Sequence, residues 1–312
     1  MYHTGSETDS LINQAHQNDE QYIDLLEHDY IVTSHKDGRT QLMQRTKYNY
    51  PRKKLGYSKF KDLFYKIDDV PDSKKSDTLP NNLVVLFAHM NWGPGGKYYD
   101  SANVIERVGA NYFEDLQRSL VKNTYILRLP DFNISHGSHY ESTPNFPDYE
   151  EQVQGLLKKF RKDLNVSHDR VVLYGGSKAG TGALVHGVLG DYHAVACDPI
   201  INATKYNEDS DRHFVKNFRP ADLSSKINGA KKGNRREKVI IANRFVEFNF
   251  QNSQKVNGGA IRLIDLNDPT IVKHPRVTPE SVPEQLALMN IMLDGHKTIG
   301  NRRFGLKKLI GK

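Results

Sequence analysis

The chain has 312 residues, long enough for one large α/β domain or two small ones. Its charged fraction of 26% and hydrophobic fraction of 37% are those of a soluble globular protein, and its longest apolar runs, such as Leu83–Ala88, are strand-sized; a bilayer span needs roughly 18 apolar residues. The single cysteine, Cys197, excludes an internal disulfide framework, and the N-terminus lacks a basic segment followed by an apolar one, so the expected location is cytoplasmic. A net charge of +7 is compatible with an anionic partner, such as a polyanionic saccharide, a phosphorylated cofactor, nucleic acid or an anionic membrane face, but ordinary solvated surface is the stronger interpretation. The basic runs "YPRKKLGYSKFKD", "GAKKGNRREK" and "NRRFGLKKLIGK" are scattered, and no zinc-finger, RNA-binding or helix-turn-helix signature supports nucleic acid.

Residues 1–75 read as a polar N-terminal extension, with a helix near Ser10–Glu27 and a hairpin, "DYIVTSHKDGRTQLMQR", turning at its central Asp-Gly. Asp69–Asn82 reads as a linker, and 76–312 as the catalytic domain. There Leu83–Ala88 is a buried strand followed by the glycine-rich "HMNWGPGG", "SANVIERVG" is a short helix, and Thr124–Pro130 is a second strand. Asp148–Asn165 carries apolar residues at helical spacing. "RVVLY" is the third strand, followed by a serine turn and a helix to about Leu189; strands at His193–Pro199, Lys238–Arg244 and Ala260–Leu266 and a helix over Pro279–Leu293 complete the pattern. Strands alternating with helices imply a mostly parallel sheet covered on both faces, an α/β class of fold.

The segment "YGGSKAGTGAL" places Ser177 where a buried strand turns into a helix. Gly175-Gly176-Ser177-Lys178-Ala179 fits the small-x-Ser-x-small nucleophile elbow, with alanine in place of the last glycine. The residues two before and two after the serine must be small because strand and helix backbones nearly touch there. It is neither a P-loop, since GxxxxGK[ST] is absent, nor a G-x-G-x-x-G dinucleotide turn. A structural glycine turn is the competing interpretation.

A serine hydroxyl needs a base and an orienting acid. Of the histidines beyond Ser177, His186 lies inside the helix, His193 opens a strand, His213 sits in a polar insertion and His296 follows the last helix. His274, in a loop eight residues past the last strand, is the candidate base. Glu247 after the fifth strand is the favoured acid, with Asp198 after the fourth as the alternative; Asp268 is closer to a loop-shaping residue. The oxyanion donors are the N–H of Lys178 at the helix start and that of Asn91 or Trp92 in the glycine-rich loop. His136 and His139 lack a third ligand at clear spacing, so no metal is expected.

The elbow, with "CDPIIN…HFVKNFRPADLSSKING" and "KHPRVTPESVP", resembles the XcbB/CpsF-type capsular polysaccharide biosynthesis proteins over roughly Leu83–Leu293. These are similar to the α/β-hydrolase-fold acetyltransferases of capsule synthesis and accessory secretion. The resemblance implies an α/β-hydrolase-like fold, acetyl-CoA as acyl donor and a polysaccharide or oligosaccharide acceptor. It also implies Ser177 as nucleophile and His274 as base. A glutamate about thirty residues before the histidine corresponds to Glu247, 27 residues before it here. Three functions compete: an O-acetyltransferase acting on a surface polysaccharide, an esterase or deacetylase on the same scaffold, and a non-catalytic scaffold in glycan assembly or export.

Overall fold

The computed structural model describes residues 2–3, 7, 10–14, 19–91, 98, 101–108, 112–208, 215 and 218–294. In chain order the N-terminal part holds β1 (Tyr2–His3), α1 (Leu11–Gln14), α2 (Asp19–Glu27), β2 (Tyr30–Lys36), β3 (Arg39–Gln44) and α3 (Tyr50–Lys54). There follow β4 (Ser58–Phe60), β5 (Leu63–Asp68), β6 (Asn82–Phe87), α4 (Val104–Val108), α5 (Leu116–Ser119), β7 (Thr124–Leu129) and α6 (Tyr149–Asp163). The second half comprises β8 (Val171–Gly176), α7 (Lys178–Gly190), β9 (His193–Cys197), α8 (Thr204–Glu208), α9 (Ser224–Ala230) and β10 (Lys238–Ala242). It ends with α10 (Glu247–Val256), β11 (Ile261–Asp265), α11 (His274–Glu280) and α12 (Val282–Leu293).

Eight strands form one sheet in the order β11-β10-β9-β8-β6-β7-β5-β4, and β1-β3-β2 form a separate small sheet. From β7 through β11 every pairing is parallel, whereas β5 joins β7 antiparallel and β4 closes the edge as a hairpin with β5. The central strands read as unbroken apolar runs because both faces are covered. Along β6, Leu83, Val85 and Phe87 face a cluster shared with Val153, Leu156 and Phe160 of α6. Val84 and Leu86 face the opposite cluster, which includes Leu288, Met289 and Met292 of α12. Burying each such side chain is worth about 1.5–3 kcal/mol, so this two-sided packing fixes the strand ends that carry the site.

Three features differ from the sequence reading. The hairpin β4–β5 belongs to the main sheet, with Lys66 opposite Arg128 and Asp68 opposite Ile126, so the boundary expected at residue 75 falls after two of the sheet's strands. The expected last helix is two helices meeting at Ser281, and the first of them begins at His274, which was expected in a loop. The expected Ser10–Glu27 helix is α1 and α2, with residues 15–18 outside the described set. The β2–β3 turn is an Asp-Gly turn, with φ of 51° at Asp37 and 68° at Gly38, the left-handed pair that a tight hairpin demands.

Candidate active site

Ser177 stands between β8 and α7 with φ 57° and ψ −124°, a conformation that an L-residue adopts only when its surroundings impose it. Its N–H donates to the Cys197 carbonyl of β9 at 2.9 Å, tying the turn to the neighbouring strand. The small residues have a direct steric reason. A Cβ on Gly175 would lie 2.3 Å from the Ala179 carbonyl carbon, and one on Gly176 would lie 2.6 Å from Thr278 Oγ1. Alanine is accommodated at 179 because Gly175, across the gap, has no side chain.

His274 and Asp198 converge on this serine. Ser177 Oγ and His274 Nε2 are 2.8 Å apart, and His274 Nδ1 lies 2.6 Å from Asp198 Oδ2. Nδ1–H donating to the carboxylate leaves the Nε2 lone pair to accept the Ser177 hydroxyl proton, the tautomer a general base requires. Asp198 is fully buried with φ 41°, and its N–H donates to the Ile241 carbonyl at 2.7 Å. The Asn249 side-chain N–H donates to Asp198 Oδ2 at 3.2 Å and sits 2.9 Å from His274 Nδ1. Asn249 was not anticipated; its only sequence signal was its place in the first turn of the helix after β10.

Glu247, the favoured acid, does not meet the histidine. It opens α10 on the surface, and its Oε1 accepts from the Gln251 side chain at 3.2 Å. The carboxylate against His274 is that of Asp198, because β9 lies beside β8 whereas β10 lies one strand farther out. Asp268 accepts from Thr270 and shapes the loop before α11.

The oxyanion candidates divide. Lys178 is the first residue of α7, so its N–H is one of the donors that a helix leaves without an intrahelical acceptor. Its side chain is buried and donates to the His136 carbonyl, and burial pulls the ammonium pKa down to about 8. The Asn91 N–H is committed to the Arg107 carbonyl at 3.1 Å, so it does not serve as the second donor. Trp92 lies outside the described residues. His136 and His139 are buried in the loop after β7, where the His139 Nδ1 faces Arg219 at 3.3 Å. Among the described residues no three His, Cys, Asp or Glu side chains are grouped to hold a metal.

An open cavity of about 660 Å³ reaches His274, lined among others by Lys205, Tyr206, Phe245, Phe248 and Lys273, with Glu247 also on its wall. Phe245 and Val272 on this wall are 42% and 56% exposed, which leaves apolar surface open beside the triad. The mouth is thus apolar, with two lysines and one glutamate on its wall.

No family model matches the chain, and no curated protein matches it. Solved structures do. The capsule O-acetyltransferase of Neisseria meningitidis serogroup A aligns at 12% identity with a TM-score of 0.51, covering 76% of this chain and 94% of that one. The fold is that of the α/β-hydrolases. A glycosylation-associated protein complex (Gap123) from Streptococcus agalactiae aligns at 14% identity and a TM-score of 0.48, and this α/β-hydrolase-fold chain spans 46% of that chain. A serine hydrolase of Staphylococcus aureus, FphF, aligns at 13% identity and 0.45, over 73% of this chain and 92% of that one.

Proposed function

We propose that this chain is a serine acyltransferase of the α/β-hydrolase fold that moves an acetyl group from acetyl-CoA to a hydroxyl of a bacterial surface polysaccharide. The observation that carries the reading is the Ser177–His274–Asp198 relay built on a strained elbow. The fold likeness to a capsule O-acetyltransferase is compatible with it.

In the first half-reaction Ser177 Oγ attacks the thioester carbonyl carbon while its proton passes to His274 Nε2. Asp198 holds the imidazole and stabilises its cation, with Asn249 fixing the carboxylate. The N–H of Lys178, at the start of α7, donates to the oxyanion. Collapse breaks the carbon–sulfur bond, the thiolate leaves with the proton from His274, and an acetyl-serine remains. A sugar hydroxyl then gives its proton to His274 and attacks this ester; its collapse returns the proton to Ser177. Acetyl-CoA as donor places the reaction in the cytoplasm, and among the described residues no helix is long and apolar enough to cross a membrane. An esterase differs only in that water replaces the sugar hydroxyl.

The test treats the purified chain with a fluorophosphonate and maps the adduct by mass spectrometry. Labelling at Ser177 that vanishes in Ser177→Ala and His274→Ala is expected. CoA release from acetyl-CoA should then rise when capsular oligosaccharide is added; release that ignores the acceptor would indicate an esterase. A folded chain that leaves Ser177 unlabelled and releases no CoA would favour the non-catalytic scaffold.

A further inference from the structure

The basic run "YPRKKLGYSKFKD" has no part in the triad, yet it borders a second cavity. This cavity, of about 520 Å³, lies in the N-terminal part, between the β2–β3 hairpin, α3 and the start of α4, and shares no lining residue with the cavity at His274. Lys47, Lys53 and Lys54 line it with Tyr48 and Tyr50, and among the described residues no Asp or Glu does. The three lysines are exposed, and among the described residues none of them is paired with a carboxylate. Arg45, which precedes this stretch, is used differently: it is buried and bonded to Asp29 at 2.9 Å.

Tyr48 is buried and Tyr50 is 49% exposed, and their rings lie parallel, 13° apart in plane with centroids at 6.5 Å. An open tyrosine ring backed by a parallel one is a flat apolar platform of the kind on which the C–H face of a pyranose rests. Thr33, Ser34, Gln41 and Asn49 add hydroxyl and amide groups around it. The Gln41 side-chain oxygen is taken by Ser34, which leaves its N–H groups as donors at the rim. Platform, amide rim and unpaired lysines together select a ligand with ring faces, many hydroxyls and negative charge.

We propose that this groove binds an anionic oligosaccharide, as a docking site separate from the triad. The ligand class follows from the groove's own chemistry; that the bound glycan is also the acceptor rests on the acyltransferase reading above. Docking there would hold a polymer on the enzyme between successive transfers and raise the local concentration of acceptor hydroxyls.

The test uses the full chain and size-matched fluorescent oligosaccharides bearing carboxylate, sulfate or phosphodiester groups. A neutral malto-oligosaccharide and an oligothymidylate serve as comparators, and binding is read by anisotropy. At least one anionic saccharide should bind more tightly than the neutral one and the oligothymidylate, and its affinity should fall with added salt. The Lys53→Glu/Lys54→Glu pair and Tyr50→Ala should each weaken it by roughly tenfold, with Tyr50→Phe retaining it and wild-type melting preserved in all. Binding of none of the three, or binding unchanged in both variants, overturns the proposal. Tighter binding of oligothymidylate than of every saccharide would make the groove a nucleic-acid surface instead. Loss of Ser177 labelling would overturn the triad reading and leave the groove untouched.

Discussion

Asp198 is held in place by more than its contact with His274. Its backbone is left-handed, its side chain is buried, and one of its oxygens accepts from both the imidazole and Asn249. Replacing it with asparagine keeps the volume but removes the charge and allows the amide to favour the wrong imidazole tautomer. Asp198→Asn should lower kcat by about 10²–10⁴-fold, measured as CoA release from acetyl-CoA, whereas Glu247→Gln should change it by less than about threefold. A larger effect at Glu247 than at Asp198 would reject this assignment of the acid. Both carboxylates follow strands, which is why residue order alone did not separate them. Strand order does: Gly176 pairs with Cys197, so the residues that follow, Ser177 and Asp198, emerge side by side.

The elbow helix α7 illustrates how an element can position a site through groups that take no part in the chemistry. It is buried along almost its whole length, and its His186 sits against Phe87 with Nδ1 accepting from Gln154 at 3.1 Å and Nε2–H donating to the Tyr140 carbonyl at 2.9 Å. Burial is the main cause of its pKa falling from 6.5 to about 4. Within that window the unfolded chain carries a proton that the folded chain refuses, so stability rises with pH from about 4 to 6.5. The contribution is fully present above 6.5 and is lost as the pH falls toward about 4. Urea unfolding across this range should show a shallower acid limb in His186→Gln than in the wild-type chain; equal slopes would assign the acid sensitivity elsewhere. Helix α6 was legible because burial on one face writes a helical period, whereas β6 and α7, covered on all sides, were legible as unbroken runs of apolar and small residues between turn signals. The break between α11 and α12 was not, although Pro275 and Pro283 both sit in the first turn of a helix, where a missing N–H has no cost. Two prolines at helix starts were absorbed into one loop and one helix, which is why His274 was expected off the helix.

At the scale of the whole molecule, the main question is whether residues 1–75 form an appendage or part of the folding unit. Their polar composition suggested an appendage, but composition is silent about pairing between distant strands. Leu63 and Phe64 are buried, β5 covers the edge of β7, and Leu11, Ile12, Tyr22 and Leu26 cluster with Ile134 and Phe218. The buried Arg107 adds a polar tie, donating to the carbonyls of Ser135 at 2.9 Å and Val32 at 2.8 Å. Leu63 and Phe64 alone bring about 3–6 kcal/mol of burial, comparable with the roughly 5–15 kcal/mol net stability of a whole domain. Deleting 1–75 would also expose the unpaired edge of β7, an invitation to strand-to-strand association. The 76–312 fragment should therefore be insoluble, or melt at least about 10 °C below the full chain and bind a hydrophobic dye. Restoring residues 58–75 should recover part of that loss by returning β4 and β5 to the sheet. A 76–312 fragment that melts cooperatively at the full-chain temperature and still labels at Ser177 would show instead that the first 75 residues are an independent addition to a complete sheet.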